Sequence, residues 1–316
     1  MKKLILTLII VFNFNTLESN SDISWEIWKK SLINELTSEK EFKLSTIKLL
    51  EDLKFNNNVI NLDRNQPEFK LSLEEYLKKV VPSVVVEKGK IKKENHKETL
   101  MNISKKFNVD SNIIVALWGI ESFYGKYLGN FDILRSLASL SFDGRRQSFF
   151  LNQLNSSLKI IDKNYLDAKS FKGSWAGAFG QTQFMPSTFL KYAVDYNRDG
   201  KKDLRNSFED ALASGANYLA QIGWERNLVW GEEIVIKNEN FLKKHLNNPA
   251  FKSVKYWKSI GISFKKEYKD NSDLRILKPE KHIDRYFLVT KNFDKILKWN
   301  KSNFFGIAVG ILSDKI

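Results

Sequence analysis

The strongest constraint on the fold is an apolar run that contains a single charge. Residues 113–125 read IIVALWGIESFYG, and Glu121 is the only charged side chain among them. At helical spacing Glu121 shares a face with Leu117 and Tyr124, so the pattern predicts a helix with an inward carboxylate. Burial without a cationic partner raises the pKa of a carboxylate, as a general acid requires. A structural glutamate that is ion-paired or lies at a helix edge is the alternative at this point.

The first residues have the pattern of an export signal. Residues 1–3 include two lysines, residues 4–14 are apolar but short for a membrane span, and residues 19–21 offer small side chains for cleavage. No Cys follows the apolar stretch. We therefore expect a signal peptide at residues 1–21, a periplasmic location and no lipid anchor. A buried N-terminal helix is the alternative.

Two residue types that often carry chemistry are scarce. The chain has no Cys and three His, and the three (His96, His245 and His282) are far apart. Disulfides, thiol nucleophiles and cysteine-ligated zinc are therefore excluded. A His-based triad or metal centre is disfavoured, so acid–base chemistry is expected from Asp or Glu.

The chain is basic, with 51 Lys and Arg against 37 Asp and Glu and a net charge of +14. A positive balance favours an anionic partner, such as an acidic polymer or a membrane surface. A solvated lysine-rich surface explains the same charge equally well. Because an export signal is present, we expect no nucleic-acid partner.

Helical periodicity dominates the rest of the chain. Residues 24–110 have a helical pattern, apart from an extended segment at residues 59–69, where Pro67 disfavours helical backbone at the residue before it. Two short β-like patches occur at residues 233–236 and 286–289. With no internal repeat or linker, the pattern predicts one mostly helical domain over residues 22–316.

Residues 173–187, GSWAGAFGQTQFMPS, are rich in small and aromatic residues. Small residues let backbones approach closely. Aromatic faces and amide side chains suit the wall of a sugar-binding groove. A tightly packed helix–helix contact is the alternative interpretation.

Residues 195–203, DYNRDGKKD, match the opening of an EF-hand calcium loop. Oxygen-bearing side chains stand at alternate positions, Gly is sixth, and Lys201 offers its carbonyl at the seventh position. Asn206 stands where the usual twelfth-position Glu would be, and carboxylates follow only at residues 209 and 210. The pattern therefore predicts a longer loop, residues 195–210, with a metal-free turn as the alternative.

Together these motifs resemble the B type of membrane-bound lytic murein transglycosylase, a glycoside hydrolase family with a lysozyme-like catalytic domain. The resemblance begins near Trp25 and runs to the end of the chain. Its markers are LDRNQPEF at 62–69, WGIESFYG at 118–125, LSFDGRR at 140–146, residues 173–187, the calcium-type loop and Ala216-Asn217-Tyr218.

The resemblance implies a mainly α fold: a lysozyme-like α+β catalytic domain with an extra helical N-terminal region and small β elements. It implies that Glu121 is the single catalytic acid and base, and that the chemistry needs no cofactor. The implied substrate-binding residues are Arg145, Arg146, Ser174, Gln183, Phe184, Tyr218 and Asn300. The implied ligands of a structural Ca²⁺ are Asp195, Asn197, Asp199, the Lys201 carbonyl and Asp210.

The activity that the resemblance implies is cleavage of the β-1,4 bond between N-acetylmuramic acid and N-acetylglucosamine in peptidoglycan, forming 1,6-anhydromuramoyl ends. The expected partner is the peptidoglycan glycan strand, and the protein is expected to be a monomer. A lysozyme-type hydrolase, or an inactive wall-binding protein, are the alternatives. Two departures from the family pattern stand out. Trp299 and Phe305 replace tyrosines, and Asp143-Gly144 precedes the paired arginines.

Overall fold

Helices make up most of the structure, a computed structural model that describes residues 12–65, 71–236, 245–246 and 249–316. The prediction of a mainly α fold is confirmed. The helices are α1 Phe12–Glu39, α2 Leu44–Ile47, α3 Asn57–Arg64, α4 Leu73–Val80, α5 Ser83–Asn95, α6 Lys97–Phe107, α7 Ser111–Ser122, α8 Ile133–Asp143, α9 Gln147–Asp162, α10 Pro186–Tyr192, α11 Phe208–Gln221, α12 Val254–Ser259, α13 Lys291–Trp299 and α14 Asn303–Lys315. The strands are β1 Phe131–Asp132, β2 Lys172–Gly173, β3 Gly231–Ile234, β4 Lys252–Ser253, β5 Asp273–Leu277 and β6 Tyr286–Val289.

The chain divides into two compact units. Unit 1 takes residues up to 66 together with 128–179 and 183–191, and unit 2 takes 67–127, 180–182 and 192–316. Unit 1 contains α1–α3, α8 and α9, with α8 packed against both α9 and α3. A short antiparallel pair, β1 and β2, sets Phe131 opposite Gly173. Residues 22–316, which the sequence pattern predicts as one domain, are divided between the two units.

Helix α3 corrects one sequence prediction. Residues 57–64 are helical, whereas the pattern predicted extended chain over residues 59–69. The Asn56 side chain accepts a hydrogen bond of 3.1 Å from the backbone N–H of Asn58 and so caps the helix. Pro67 restricts only the residue before it, so it leaves the helix free to continue as far as Arg64. The last four residues of the predicted segment lie outside the described residues.

In unit 2, a four-stranded antiparallel sheet has the order β3-β6-β5-β4. Strand β6 is the predicted patch at residues 286–289, and β3 overlaps the other patch but ends at Ile234. Strand β5 was not predicted, although its residues alternate between buried Leu274 and Ile276 and partly exposed Asp273 and Arg275. One face of the sheet is packed with apolar side chains, namely Ile234, Val254, Trp257, Leu274, Ile276, Tyr286 and Leu288.

Helix α7, which carries Glu121, packs against α14, α11, α6 and α5 of unit 2. The pair Asp110-Ser111 predicts a start after Asp110, and the helix begins there. Gly125 predicts the stop, but the helix already ends at Ser122. Its side chains are buried from Ile113 through Gly119, so the helix is covered nearly all round rather than along one stripe. Glu121 lies in the last turn and is half-buried.

The chain leaves α7 through three successive left-handed residues. Phe123, Tyr124 and Gly125 have φ angles of 50°, 59° and 83°. Tyr124 therefore lies beyond the helix, and the prediction that it continues the helical face of Glu121 is wrong. Its ring folds back, and its hydroxyl donates a hydrogen bond of 2.8 Å to the carbonyl of Val85. A Cβ added at Gly119 would lie 2.7 Å from the Tyr124 ring, so only glycine leaves room for this arrangement.

Among the residues that the structure describes, no helix combines the length and the hydropathy needed to span a membrane.

We expect Gly119→Ala to lower the free energy of unfolding by about 1–3 kcal/mol, because the new methyl group overlaps the buried Tyr124 ring. Gly215→Ala in α11 is the matched control, since its Cβ would meet Trp299 at 3.4 Å and Thr182 at 3.5 Å, which are ordinary contacts. That control should be neutral or stabilising by up to about 1 kcal/mol. Urea unfolding followed by circular dichroism compares the two. Equal effects would refute the packing account.

Candidate active site

Glu121 has a direct hydrogen-bond donor in unit 2. The indole Nε1–H of Trp299, the last residue of α13, donates to Glu121 Oε1 over 2.8 Å. An indole N–H only donates, so Oε1 is an acceptor whether the carboxyl group is ionised or protonated.

Helix α11 supports the Trp299 ring. Gly215 lies beside the indole, and the Tyr218 ring meets it edge-on with centroids 5.1 Å apart. The Tyr218 hydroxyl donates a hydrogen bond of 2.8 Å to the Lys298 carbonyl. Burial, with a smaller contribution from Tyr192, raises the pKa of Tyr218 to about 12. Tyr218 is therefore a neutral phenol near pH 7 whose hydroxyl proton is committed to positioning the end of α13.

Gln181 holds the other side of α7, and the sequence reasoning missed it. Its Oε1 accepts a hydrogen bond of 2.9 Å from the indole of Trp118, and its backbone carbonyl accepts one of 2.6 Å from Ser122 Oγ. Its backbone N–H donates to the Leu204 carbonyl over 2.7 Å. Gln181 thus fixes the final turn of the helix that presents Glu121. The sequence feature that could have identified Gln181 is an amide side chain within the run of small residues at 173–187.

Residues 173–179 and 183–187 of that run belong to unit 1 and include a bridged loop. Phe179 and Phe184 pair through two backbone hydrogen bonds of 2.9 Å, and Phe184 is buried. Ser174 Oγ accepts a hydrogen bond of 3.0 Å from the backbone N–H of Ala178. Gln183 has a left-handed backbone, with φ 47°, and is half-buried. The run is therefore a loop, not the helix–helix contact that was its alternative interpretation.

The paired arginines lie in the turn between α8 and α9 of unit 1. Arg145 Nε donates to Asp63 Oδ2 over 2.6 Å, and Arg146 Nη2 donates to Asp63 Oδ1 over 2.7 Å. Asp63 is 3% exposed, whereas the two arginine side chains are 49% and 44% exposed. The sequence marked residue 63 as part of a motif but gave it no role.

Asn300 directly follows Trp299 and caps the end of α13. Its side-chain Oδ1 accepts a hydrogen bond of 3.0 Å from the backbone N–H of Ser302, which starts the turn into α14. Asn300 is half-buried.

The calcium-type loop brings three carboxylates together in unit 2. Oxygen atoms of Asp195, Asp199 and Asp210 lie within 4.8 Å of one another. Asp210 is fully buried. Its pKa is raised by desolvation and by the charge of Asp195, despite hydrogen bonds from three backbone N–H groups. Hard oxygen donors around a buried acid are what Ca²⁺ binds, so these residues fit that ion.

The loop backbone has the expected sharp turn. Gly200, the sixth residue, has φ 86°, and the backbone N–H groups of Asp199 and Gly200 donate to the Asp195 carboxylate over 3.2 and 2.9 Å. The Asn197 side chain accepts from the Asp199 N–H over 3.1 Å. Lys201 follows directly after Gly200. The cluster connects to the rest of the site because Asp210 and Tyr218 are both on α11.

The predicted site residues therefore fall into two sets. Unit 2 brings Glu121 together with Trp299, Tyr218 and Asn300, and it holds the complete calcium-type loop. Unit 1 contains Arg145, Arg146, Ser174, Gln183 and Phe184.

Comparison with known proteins places the chain in a family. Residues 24–314 match the family model of the transglycosylase SLT domain. Membrane-bound lytic murein transglycosylase B of Escherichia coli (strain K12) is 29% identical over 244 residues. That alignment covers 76% of this chain and 66% of the relative, slightly less than two thirds of its length.

Solved structures share the fold. SltB3 from Pseudomonas aeruginosa, solved in complex with NAG-NAM-pentapeptide, has a TM-score of 0.84 and 34% identity, covering 92% of this chain and 79% of that one. The Escherichia coli lytic transglycosylase Slt35, solved in complex with calcium, has a TM-score of 0.77 and 26% identity, covering 91% of both chains. These similarities confirm the predicted lysozyme-like fold class.

Proposed function

The chain belongs to the transglycosylase SLT family, and on that premise we propose that it is a peptidoglycan lytic transglycosylase. The observation that carries the proposal is the setting of Glu121, a half-buried carboxylate at the end of a buried helix with an indole donor on one oxygen. The proposed substrate is the β-1,4 bond between N-acetylmuramic acid and N-acetylglucosamine. SltB3 was solved with a ligand of this chemistry.

In the first step, protonated Glu121 donates its proton to the glycosidic oxygen. The bond from that oxygen to C1 of the muramoyl residue breaks, and the N-acetylglucosamine side leaves as an alcohol. The substrate's own N-acetyl group stabilises the oxocarbenium-like C1, as in other substrate-assisted glycosidases. Trp299 keeps Oε1 as an acceptor throughout and so stabilises the carboxylate that results.

In the second step, ionised Glu121 acts as the base. It takes the proton of the muramoyl 6-hydroxyl while that oxygen bonds to C1, which closes the 1,6-anhydro ring and returns Glu121 to its protonated form. No water is consumed and no second carboxylate is needed. Acid–base assistance of this kind contributes about 10²–10⁴-fold to rate.

An ordinary glycosidase needs a second carboxylate, and the sequence offers Asp132 and Asp143 for it, but both already have structural roles. Asp132 caps α8, accepting a hydrogen bond of 2.8 Å from the Arg135 backbone N–H. Asp143 is bonded to Arg64 over 2.6 Å. Their engagement supports a single-carboxylate mechanism over one that uses a carboxylate pair.

We assign substrate contacts to the half-buried or exposed polar groups. Arg145 and Arg146 offer guanidinium donors to the acidic peptide groups of the glycan, and Asn300 offers an amide near the reacting N-acetyl group. Ser174 and Gln183 supply polar contacts to the sugar. Tyr218 and Phe184 are largely buried, so they shape the site chiefly by supporting neighbouring residues.

Two rival functions differ from this one in the products that they would release. A lysozyme-type hydrolase would use water in place of the 6-hydroxyl and leave products that are heavier by one water. An inactive wall-binding protein would release no product, and a carboxylate with a dedicated indole donor has no purpose in it. Mass spectrometry of muropeptides released from purified sacculi therefore separates all three functions.

We expect wild-type protein to release anhydro products and Glu121→Gln to release them at least about 100-fold more slowly, because the amide carries no transferable proton. The amide oxygen still accepts from Trp299, so the variant should keep its thermal stability. Asp132→Asn is the matched control and should retain activity. Products containing an added water, or equal activity of Glu121→Gln, would contradict the proposal.

We also propose that residues 195–210 bind a structural Ca²⁺ through Asp195, Asn197, Asp199, the Lys201 carbonyl and Asp210. The ion would offset the repulsion among three clustered carboxylates, one of them fully buried. It would stabilise the loop that precedes α11 and therefore the helix that supports Trp299. The ion takes no part in the chemistry.

Calcium at 100 times its dissociation constant should stabilise the fold by about 2.7 kcal/mol and raise the melting temperature, and chelator should reverse the effect. Asp195→Asn should remove most of this dependence, because it deletes one of the charges that hold the ion. Asp52→Asn, at an exposed position outside the loop, should preserve it. A melting temperature indifferent to calcium would argue against the site.

We propose in addition that residues 1–21 are removed on export to the periplasm. Amino-terminal sequencing of protein recovered from the cell envelope should begin at Asp22. Recovery of the intact chain starting at Met1 would contradict this.

A further inference from the structure

The motif at residues 62–69 has a buried carboxylate whose purpose the proposed reaction does not explain. Asp63 lies in the last turn of α3 in unit 1 and is 3% exposed. A carboxylate is disfavoured near the negative end of a helix dipole. Burial adds a desolvation cost. A residue kept in so unfavourable a place needs a compensating interaction.

Ion pairs in both directions between α3 and the α8–α9 turn provide that interaction. Both carboxylate oxygens of Asp63 are bonded to arginine, with Arg145 Nε on Oδ2 at 2.6 Å and Arg146 Nη2 on Oδ1 at 2.7 Å. Arg145 Nη2 also donates to the Asp63 backbone carbonyl over 3.1 Å. In the reverse direction, Arg64 donates to Asp143 over 2.6 Å. Two consecutive residues of α3 thereby hold both sides of the turn.

Without Asp63, the arginine pair would be held poorly. Arg145 and Arg146 are adjacent in sequence, and Arg146 is the N-cap residue of α9, where the helix dipole is positive. Two guanidinium groups at such a place repel each other and the helix end. Burial opposes the ionisation of Asp63, but the hydrogen bond from Arg145 and the charges of both arginines outweigh it and lower its pKa. The carboxylate therefore stays ionised and keeps both side chains in one arrangement.

The arrangement leaves donors available for a ligand. Each guanidinium has five N–H donors. Within the described part of the chain, the Nη1 groups of Arg145 and Arg146 donate to nothing, and nearly half of each side chain is exposed. Three arginines and two aspartates give the cluster a formal charge of +1. A preorganised cluster of this charge suits a single carboxylate.

We propose that Asp63 is a positioning residue that preorganises Arg145 and Arg146 to bind a carboxylate group on the peptide substituent of the glycan. Asp63 touches no substrate itself. The choice of ligand rests on the proposed function. The inference adds that Asp63, Arg145 and Arg146 recognise the peptide substituent as one unit, in place of two independent arginines. It also gives the motif at residues 62–69 a physical purpose.

The test measures binding in a Glu121→Gln background, so that turnover is strongly suppressed. Isothermal titration calorimetry compares the affinities for two probes, a disaccharide carrying a pentapeptide and the same disaccharide without peptide. Adding Asp63→Asn should weaken binding of the peptide-bearing probe about tenfold, because the arginines lose their charged anchor. The affinity for the probe without peptide should change by less than about twofold. Asp162→Asn is the matched control. Asp162 also joins two helical segments of unit 1, bonding to Lys43 and Thr46, and its loss should leave the ratio of the two affinities unchanged.

Circular dichroism checks that each variant folds. If Asp63→Asn does not fold, Asp63→Glu decides the question, since it keeps the charge but displaces both arginines by a methylene group. A smaller loss, confined to the peptide-bearing probe, is then expected. Equal weakening of both probes, or of neither, would overturn the proposal for either variant. Such a failure is separate from failure of the proposed function, which the product masses of the wild-type protein decide.

Discussion

The hydrogen bond from the Trp299 indole to Glu121 is the interaction on which the candidate site depends. It joins two helix ends, the last turn of α7 and the last residue of α13, and each end is fixed from elsewhere in unit 2. Gln181 anchors the end of α7 through Trp118 and Ser122, whereas Tyr218 anchors the end of α13 through the Lys298 carbonyl. Because an indole cannot accept a proton, this contact orients the carboxyl group without competing for the proton that the proposed reaction transfers.

Three poorly solvated carboxylates are stabilised in three different ways, and the differences match what each is proposed to do. Glu121 accepts a hydrogen bond from a neutral indole on Oε1, a contact that places no positive charge beside the carboxyl group. Asp63 is bonded to two guanidinium groups, which keep it ionised and make it a fixed anchor. Asp210 receives backbone N–H groups but faces the charge of Asp195, so its environment favours a proton or a cation. Asp63 and Asp210 are both buried, yet their partners shift their pKa values in opposite directions.

Local pattern predicted much of the fold but failed where tertiary contacts override it. The start of α7 and strand β6 follow from the apolar pattern, and the structure has both where they were predicted. The prediction of extended chain over residues 59–69 was wrong in its first part, because the backbone restriction from one proline was applied to the whole stretch. Tyr124 was assigned to the helical face of Glu121 because periodicity does not reveal that Gly119 leaves room for its ring to fold back. Gln181 was missed because an amide within a run of small residues shows no period.

The sequence by itself determined which residue types were available: a chain without cysteine, with few histidines, with one carboxylate in an apolar helix and with an oxygen-rich loop after residue 194. It also carried the family resemblance, because motifs are local strings and survive without coordinates. Only the tertiary structure decided which groups meet. Trp299 reaches Glu121 from 178 residues away, and Asp63 meets Arg145 and Arg146 across 82 and 83 residues. The physical reason is that hydrogen bonds and ion pairs depend on distance and direction in space, and chain separation encodes neither.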